Sequence, residues 1–236
     1  LAALVSKVDG GKAIIFENVE EKKIPVISNL LGTRKRFALA LGVNNEKEIH
    51  NIINKSINKI NNKTKITSDV PYYQNSNTKL SILPIITHFE KDAGPYITSS
   101  IVYAKDQENG NQNSSTHRLL KLDDKHLVIR MVEGRHLHKC FINAKEHGED
   151  LKVAIVIGVH PAVNIAAAYQ ASYGIDEMFI ANTFLNGNLH LAMNNYSHLL
   201  IPASSEIVLE GRILKDKTHE EWMVEMLKTY DFKRQQ

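Results

Sequence analysis

Three polar side chains in this sequence offer donor atoms that a divalent cation of the Mn²⁺ or Mg²⁺ type accepts. Asn113 carries an amide oxygen, His136 an imidazole nitrogen and Glu177 a carboxylate. This mixture of oxygen and nitrogen donors suits Mn²⁺ or Mg²⁺ and does not suit a structural zinc site. Arg118 follows Asn113 by five residues, and a guanidinium pairs well with a carboxylate or a phosphate. The four residues together predict a site that holds a metal ion and an anionic group.

Each of these residues, taken alone, also has an ordinary explanation. The polar loop predicted over residues 106–115 could surround an anion with N–H groups and hydroxyls, or it could be a surface turn. A histidine at the end of an element, such as His136, most often binds no metal. A carboxylate at a helix start, such as Glu177, is favoured by the helix dipole alone. The site is therefore predicted from the order and spacing of four residues.

The composition is that of a folded globular protein. The chain has 236 residues, of which 43% are hydrophobic and 23% charged, and the net charge of +3 is spread along its length. Such a charge does not indicate nucleic acid as the main partner. The single cysteine, Cys140, excludes an internal disulfide and fits a reducing compartment, so we expect a cytoplasmic protein. No apolar run reaches the roughly 20 residues that cross a bilayer, so we expect no membrane span.

Several common catalytic motifs are absent from the sequence. It contains no Gly-rich dinucleotide fingerprint, no Walker sequence and no serine nucleophile elbow. A buried strand does end at Gly158, and Pro161 follows at a predicted helix start. Such a strand-to-helix turn suits a phosphate or a flavin edge that passes close to the backbone.

The elements that must position these residues fall into two groups. Apolar periodicity and turn residues predict a first group of two strands, two helices and a linker, at residues 12–16, 24–27, 29–42, 46–63 and 64–79. The second group contains strands at residues 96–104, 118–122, 126–132 and 151–159 and from 207, with helices at 136–147, 161–170, 175–185 and 220–228. The pattern predicts an α+β protein whose second half is a β-rich sheet or barrel decorated with helices.

In this order the segments resemble the UbiD family of decarboxylases over nearly the whole chain. The spacing of five between Asn113 and Arg118 belongs to this resemblance. The other segments are 7–13 (Lys-Val-Asp-Gly-Gly-Lys-Ala), 29–36 (Asn-Leu-Leu-Gly-Thr-Arg-Lys-Arg), 92–98 (Asp-Ala-Gly-Pro-Tyr-Ile-Thr), 158–162 (Gly-Val-His-Pro-Ala) and 201–211 (Ile-Pro-Ala-Ser-Ser-Glu-Ile-Val-Leu-Glu-Gly).

The resemblance implies a two-domain fold. A small N-terminal α/β domain over residues 1–78 would precede a split β-barrel flavin-binding domain over residues 79–236. The C-terminal domain of the family would be absent from this sequence, whose two ends both look cut. The implied cofactors are prenylated FMN, a divalent metal, usually Mn²⁺ (or Mg²⁺), and K⁺.

The resemblance also implies roles for individual residues. Asn113, His136 and Glu177 would bind the metal that joins the cofactor phosphate to the protein, with His138 as the rival of His136. The remaining cofactor-binding residues would be Ser115, Thr116, His117, Arg118, Arg135, Ala167 and Ala168. The Ala167–Ala168 pair lacks the hydroxyls expected near the phosphate.

The implied catalytic residues are Arg118, which would orient the substrate carboxylate, and the acids Glu220 and Glu225. Relatives carry these acids in a Glu-Gly-Pro-x-Gly-Glu/Asp motif, whereas residues 219–225 here read His-Glu-Glu-Trp-Met-Val-Glu. The segment without that turn predicts a helix, which would place positions five apart about 140° from each other. Glu220 and Glu225 are alternatively solvated charges on that helix.

The function implied is non-oxidative decarboxylation of an α,β-unsaturated or aromatic carboxylic acid. The alternative is a catalytically degenerate relative that binds a flavin or another phosphorylated ligand, and a third possibility is a purely structural protein. The expected partners are the carboxylic acid substrate, a flavin prenyltransferase that supplies the cofactor, and further copies of the same chain in a homo-oligomer.

Overall fold

The structure is a computed structural model that describes residues 11–221 and the backbone of residues 234–235. Its strands are β1 (Ile14–Phe16), β2 (Val26–Ser28), β3 (Lys65–Ile66), β4 (Tyr96–Lys105), β5 (Gln112–Lys121), β6 (Leu127–Ile129), β7 (Leu151–Ile157), β8 (His190–Met193), β9 (Leu200–Pro202), β10 (Ile207–Ile213), β11 (Glu220–Glu221) and β12 (Arg234–Gln235). Its α-helices are α1 (Arg34–Ala40), α2 (Ile49–Asn58), α3 (His136–Glu146), α4 (Pro161–Ala168) and α5 (Glu177–Phe184). The predicted α+β class is confirmed.

A five-stranded antiparallel sheet in the order β10-β7-β4-β5-β6 forms the centre of the molecule. Successive side chains of the central strand β4 point to opposite faces of the sheet, and each face is covered by a hydrophobic core. Ile101 and Tyr103 pack into a core shared with α4 and α5, and Val102 and Ala104 pack into a second core shared with α3. The sheet therefore separates α3 on one face from α4 and α5 on the other.

The helices and the strand β3 that precede β4 pack against elements from the second half of the chain. Ala38 of α1 and Ile49 of α2 belong to the core that contains α4 and α5. Strand β3 pairs in parallel with β8, which pairs with β9 in a second, three-stranded sheet. The predicted linker over residues 64–79 is therefore wrong at Lys65–Ile66. These two exposed residues show no periodicity in the sequence, and they form a strand only because they pair with the distant strand β8. The domain boundary between residues 78 and 79 stays a prediction.

The segment predicted as a helix over residues 220–228 begins differently. Glu220 and Glu221 form β11, which pairs antiparallel with β12. The helix is therefore wrong at its first two residues, and residues 222–228 lie outside the described residues. Closure of the sheets into a split barrel stays a prediction. None of the helices in the described parts of the chain is long and apolar enough to cross a membrane.

Candidate functional site

Strand β5 begins earlier than its sequence indicates. The predicted polar loop over residues 106–115 ends at Asn111, whose carbonyl accepts a hydrogen bond from the Asp106 N–H at 2.9 Å. Asn113 and Ser115 lie within the strand, opposite Ala104 and Val102 of β4. Strand β4, which is mostly apolar, fixes the backbone of β5 through this pairing. The polar side chains of β5 are therefore held on a rigid strand. A strand holds such side chains more firmly than a loop does.

The three predicted metal-binding side chains meet at the edge of this strand. Asn113 Nδ2 donates a hydrogen bond to Glu177 Oε1 at 3.1 Å, and His136 Nδ1 lies 3.8 Å from the same oxygen. Glu177 is the first residue of α5 and His136 the first residue of α3. Within residues 11–221 no three His, Cys, Asp or Glu side chains cluster as a metal site, so the Asn113 amide would have to complete this set.

Glu177 is the buried carboxylate of the site, with 2% of its surface exposed. Strand β6 pairs with residues 119–121 of β5, which leaves the Ser114 N–H at the strand edge to donate to Glu177 Oε2 at 2.8 Å. Burial raises the pKa of Glu177 to about 7; the hydrogen bond from the Ser114 N–H opposes this rise and the neighbouring Asp176 adds to it. A buried carboxylate of this kind is stabilised in its charged form by a cation.

His136 has the properties of a neutral imidazole ligand. Burial lowers its pKa, and the positive charges of Lys139 and Arg135 lower it further. The ring of Tyr173 lies edge-on to it, with 5.2 Å between ring centroids. His138, two positions along α3, instead accepts a hydrogen bond from the Gly134 N–H at 3.4 Å. The geometry thus brings His136, and not His138, to Glu177.

A small cavity of about 10 Å³ lies beside this set, lined by Asn113, His136, Asp106 and Tyr173 among others. A volume of this size holds about one water molecule or ion. The Tyr173 hydroxyl donates to Asp106, which also accepts from Asn143 Nδ2 at 3.0 Å. Burial opposes ionisation of Asp106, but these hydrogen bonds outweigh it and lower its pKa. The hydrogen bonds also hold Tyr173 against His136.

The predicted cofactor residues of β5 point to both faces of the sheet. Strand alternation places Ser115 and His117 on the face of Asn113, and Thr116 and Arg118 on the other. Ser115 Oγ lies 2.9 Å from His117 Nε2, and His117 Nδ1 lies 3.1 Å from the Arg130 carbonyl oxygen. Burial lowers the pKa of His117, although the hydrogen bond to Arg130 opposes this. The neutral ring therefore donates a hydrogen bond from Nδ1 and accepts one from the Ser115 hydroxyl at Nε2.

Arg118 faces a β-bulge in the neighbouring strand. Ile97 pairs with Leu119 and Ser100 with His117, so two residues of β4 oppose the single residue Arg118. The Arg118 Nη2 atom is buried and has no hydrogen-bond partner among the described residues. A buried guanidinium nitrogen without a partner is costly, and this nitrogen is free to donate a hydrogen bond to an anionic group.

The other predicted site residues are more scattered. Arg135 is exposed just before α3, Ala167 is buried in the core of the α4 face, and Ala168 is exposed. Glu220 is exposed in β11, and Glu225 lies outside the described residues. The sequence interpretation missed Glu221, which is buried with 2% exposure and accepts a hydrogen bond from the Tyr96 hydroxyl. It also missed Tyr173 and Asp106, and no local pattern marks any of them.

Comparison with known proteins identifies the family of this chain. Residues 58–236 match the "3-octaprenyl-4-hydroxybenzoate carboxy-lyase Rift-related domain", and residues 1–56 match the "3-octaprenyl-4-hydroxybenzoate carboxy-lyase N-terminal domain". An anhydromevalonate phosphate decarboxylase of Methanothermobacter thermautotrophicus is 38% identical over 224 residues, which is 94% of this chain and 52% of the relative. The counterpart of that name in Methanocaldococcus jannaschii is 42% identical over 179 residues, which is 75% of this chain and 40% of the relative.

A solved structure extends the likeness to three dimensions. An evolved dimeric form of the UbiD-class enzyme HmfF from Pelotomaculum thermopropionicum, in complex with prFMN, superimposes with a TM-score of 0.92 at 33% identity. The match covers 99% of this chain and 56% of that one. The chain therefore spans about half the length of the relatives it matches. It belongs to the UbiD family.

Proposed function

We propose that this chain is the cofactor-binding part of an enzyme that removes CO₂, without oxidation, from an α,β-unsaturated or aromatic carboxylic acid. The observation that carries the proposal is the meeting of Asn113, His136 and Glu177 at the edge of β5. The family membership and the likeness to a UbiD-class structure with prFMN support the same activity. Homo-oligomerisation, a bound K⁺ and a flavin prenyltransferase as cofactor supplier belong to the same proposal.

The residues of the site fit a divalent metal that carries a phosphate. Asn113 Oδ1, a nitrogen of His136 and the carboxylate of Glu177 would be its protein ligands, and Mn²⁺ or Mg²⁺ accepts these donors. Two of the three ligands stand at helix N-termini, which favour the negative charge of a phosphate bound next to the metal. Prenylated FMN, when bound, would supply an electron sink for the bond that breaks on loss of CO₂.

Arg118 has a separate task on the opposite face of β5. Its unpartnered Nη2 would donate to the substrate carboxylate and fix the direction of the bond that is broken. The names of the curated relatives make anhydromevalonate phosphate the first substrate to test. Aromatic and other unsaturated acids form the comparison panel.

A second candidate function is binding of a phosphorylated cofactor without turnover. It is favoured by the segment of residues 219–225, where His-Glu-Glu-Trp-Met-Val-Glu stands in place of the Gly-Pro-x-Gly turn that the family resemblance predicts between the acids. Both candidates require the metal and the cofactor. They differ only in whether CO₂ is released.

Co-expression with a flavin prenyltransferase tests the proposal. We expect the purified protein to show flavin absorbance and about one Mn²⁺ per chain, and to release CO₂ from at least one acid of the panel. The Asn113→Ala variant should lose most of its Mn²⁺, whereas Asn188→Ala, which alters only an exposed bond to Lys65, should keep it. Arg118→Ala should lose at least 100-fold in CO₂ release, roughly 2.7 kcal/mol of transition-state stabilisation. Arg34→Ala, at an exposed ion pair with Glu46, should change little.

Three results would argue against the assignment. Unchanged Mn²⁺ content in Asn113→Ala would remove the metal site. A protein that binds flavin and metal but exchanges no CO₂ with any acid would favour the binding function. A protein that binds neither would exclude both candidates.

A further inference from the structure

The side-chain amide of Asn113 turns its nitrogen, and not its oxygen, toward Glu177. Asn113 Nδ2 lies 3.1 Å from Glu177 Oε1 and 3.3 Å from Oε2. An amide nitrogen carries two N–H donors and no acceptor, so only the amide oxygen can bind a cation. We call this the nitrogen-in orientation, and its reverse, with Oδ1 toward Glu177, the oxygen-in orientation. Metal binding by Asn113 therefore requires the oxygen-in orientation.

Two further polar residues of β5 continue the contacts of this amide. Ser115 Oγ lies 3.2 Å from Asn113 Oδ1 and 2.9 Å from His117 Nε2. His117 Nδ1 in turn lies 3.1 Å from the Arg130 carbonyl oxygen. Alternate residues of a strand share one face, so Asn113, Ser115 and His117 form a continuous row of polar side chains, which we call the β5 row.

The Arg130 carbonyl fixes the direction of the hydrogen bonds in the β5 row. A carbonyl oxygen accepts and cannot donate, so the neutral His117 ring carries its proton on Nδ1 and accepts at Nε2. Burial lowers the pKa of His117, against the hydrogen bond to the carbonyl, which favours this neutral form. Ser115 has one hydroxyl proton, whereas His117 Nε2 and Asn113 Oδ1 both accept. In the nitrogen-in orientation, two acceptors therefore compete for one proton.

The oxygen-in orientation removes this competition. Asn113 Nδ2 would donate to Ser115 Oγ, the Ser115 hydroxyl to His117 Nε2, and His117 Nδ1 to the Arg130 carbonyl, so that donors and acceptors match along the row. Asn113 Oδ1 would then face the Glu177 carboxylate, and two such oxygens repel each other unless a cation lies between them. Glu177 thus favours the nitrogen-in orientation, and the β5 row favours the oxygen-in orientation.

We infer that Ser115 and His117 are positioning residues that hold the Asn113 amide in its metal-binding orientation. The inference rests on the metal site of the proposed function. When a divalent cation neutralises the Glu177 carboxylate, the attraction of Glu177 for Nδ2 weakens, and the β5 row turns Oδ1 toward the metal. His117 acts on the metal without contact, because it decides in which direction the Ser115 hydroxyl proton points.

The affinity for Mn²⁺ measures this role without turnover. Mn²⁺ is titrated at pH 8 into the metal-free full chain with saturating FMN, and electron paramagnetic resonance measures the unbound ion. Ser115→Ala and His117→Phe should each bind Mn²⁺ about tenfold more weakly than the wild type, as expected when a metal ligand loses its outer contacts. Ser81→Ala and His126→Phe are the matched controls, because these side chains bond instead to Asp124 and Asp123, and they should not change the affinity.

The double variant tests the direction of the Ser115 proton. Without the His117 acceptor, the Ser115 hydroxyl donates to Asn113 Oδ1 and stabilises the nitrogen-in orientation. Removal of that hydroxyl then costs nothing further, so the double variant of Ser115→Ala and His117→Phe should bind Mn²⁺ no more weakly than His117→Phe alone. Independent structural effects would instead add, to a loss of about 100-fold.

A carboxylate at position 113 separates the orientation of this side chain from its packing. Asn113→Asp has the same shape and an oxygen on both arms, so either orientation presents an oxygen to the metal. In this background Ser115→Ala and His117→Phe should each lower the Mn²⁺ affinity less than about twofold, because the β5 row no longer selects an atom. A packing role of Ser115 or His117 would give the same loss in both backgrounds.

The outcomes separate this inference from the function on which it rests. Unchanged affinity in Ser115→Ala or His117→Phe overturns it, as does an additive double variant or a loss that persists with Asn113→Asp. A wild type that binds no Mn²⁺ overturns both the inference and the metal site. A loss that requires the Asn113 amide, in a protein that releases no CO₂ from any acid, supports the inference and counts against the proposed decarboxylation alone.

Discussion

Tyr173 is placed to orient His136, the histidine of the proposed metal site. Its ring packs edge-on against His136, and its hydroxyl donates to the buried Asp106. Lys139 also lies over the ring, with Nζ 4.6 Å from the centroid. The His136 imidazole therefore packs against a tyrosine ring whose position is fixed by the hydrogen bond to Asp106. Outer contacts of this kind fix the orientation of a metal-binding histidine.

Removal of the Tyr173 hydroxyl should weaken metal binding. We expect Tyr173→Phe to bind Mn²⁺ about tenfold more weakly, because the ring is no longer tied to Asp106. Isothermal titration of the metal-free protein with Mn²⁺ measures the change. Tyr169→Phe, a nearby tyrosine at the end of α4, serves as the control. Equal affinities in the two variants would show that the Tyr173–Asp106 bond does not position His136.

At the scale of elements, the turn between β7 and α4 depends on Gly158. Its φ of +73° is uncommon for other residues, and an added Cβ would lie 2.3 Å from Glu206 Oε2 and 2.7 Å from Glu206 Cβ. The Glu206 N–H donates to the Gly158 carbonyl at 2.9 Å, so β10 is joined to this turn through the backbone. The turn can therefore neither accept a side chain nor move away from β10 freely.

Gly158→Ala should destabilise the fold by about 1–3 kcal/mol, through an unfavourable φ and displacement of Glu206. Urea denaturation followed by circular dichroism measures the free energy of unfolding. The control is Gly211→Ala in β10, where φ is not positive and no atom lies within 4 Å of the added Cβ. A Gly158→Ala protein as stable as the Gly211→Ala protein would contradict the role assigned to this turn.

The elements also show what the sequence could predict. Strands β4 and β7 were predictable because continuous apolar runs mark strands buried on both faces. The start of β5 was not, because residues 112–117 contain no apolar side chain and become a strand only by pairing with β4. The meeting of Asn113, His136 and Glu177 was predicted through family resemblance and spacing, and their role as metal ligands stays a prediction. The burial of Glu221 was not, because it depends on Tyr96, 125 positions earlier in the chain.

For the whole molecule, the site carries a cost in stability that depends on pH. Burial raises the pKa of Glu177 from an ordinary value of 4.5 to about 7, and that of Asp176 from 3.8 to about 6. Both groups hold their protons more tightly when folded than when unfolded. Their contribution is thus fully present below about pH 4, and it is lost as the pH rises through about 6 to 7.

We therefore expect Glu177→Gln to become more stable relative to the wild type as the pH rises. In metal-free protein the difference in free energy of unfolding should grow by roughly 3 kcal/mol between pH 4 and pH 8. Denaturation of both proteins in EDTA across this range measures it. Addition of Mn²⁺ should reverse the difference at pH 8, because only the wild type has the full ligand set. A difference that is independent of pH would contradict the raised pKa of Glu177.

The placement of His136 and Glu177 at the first residues of α3 and α5 has a consequence for the order of assembly. Two helix dipoles turn their positive ends toward the place where a cation would bind, so they oppose a metal that arrives alone. They favour a metal that arrives with a negatively charged phosphate. Metal and cofactor should then act as mutual effectors, each raising the affinity for the other by the same factor. The site would bind the metal together with the phosphate more tightly than the metal alone.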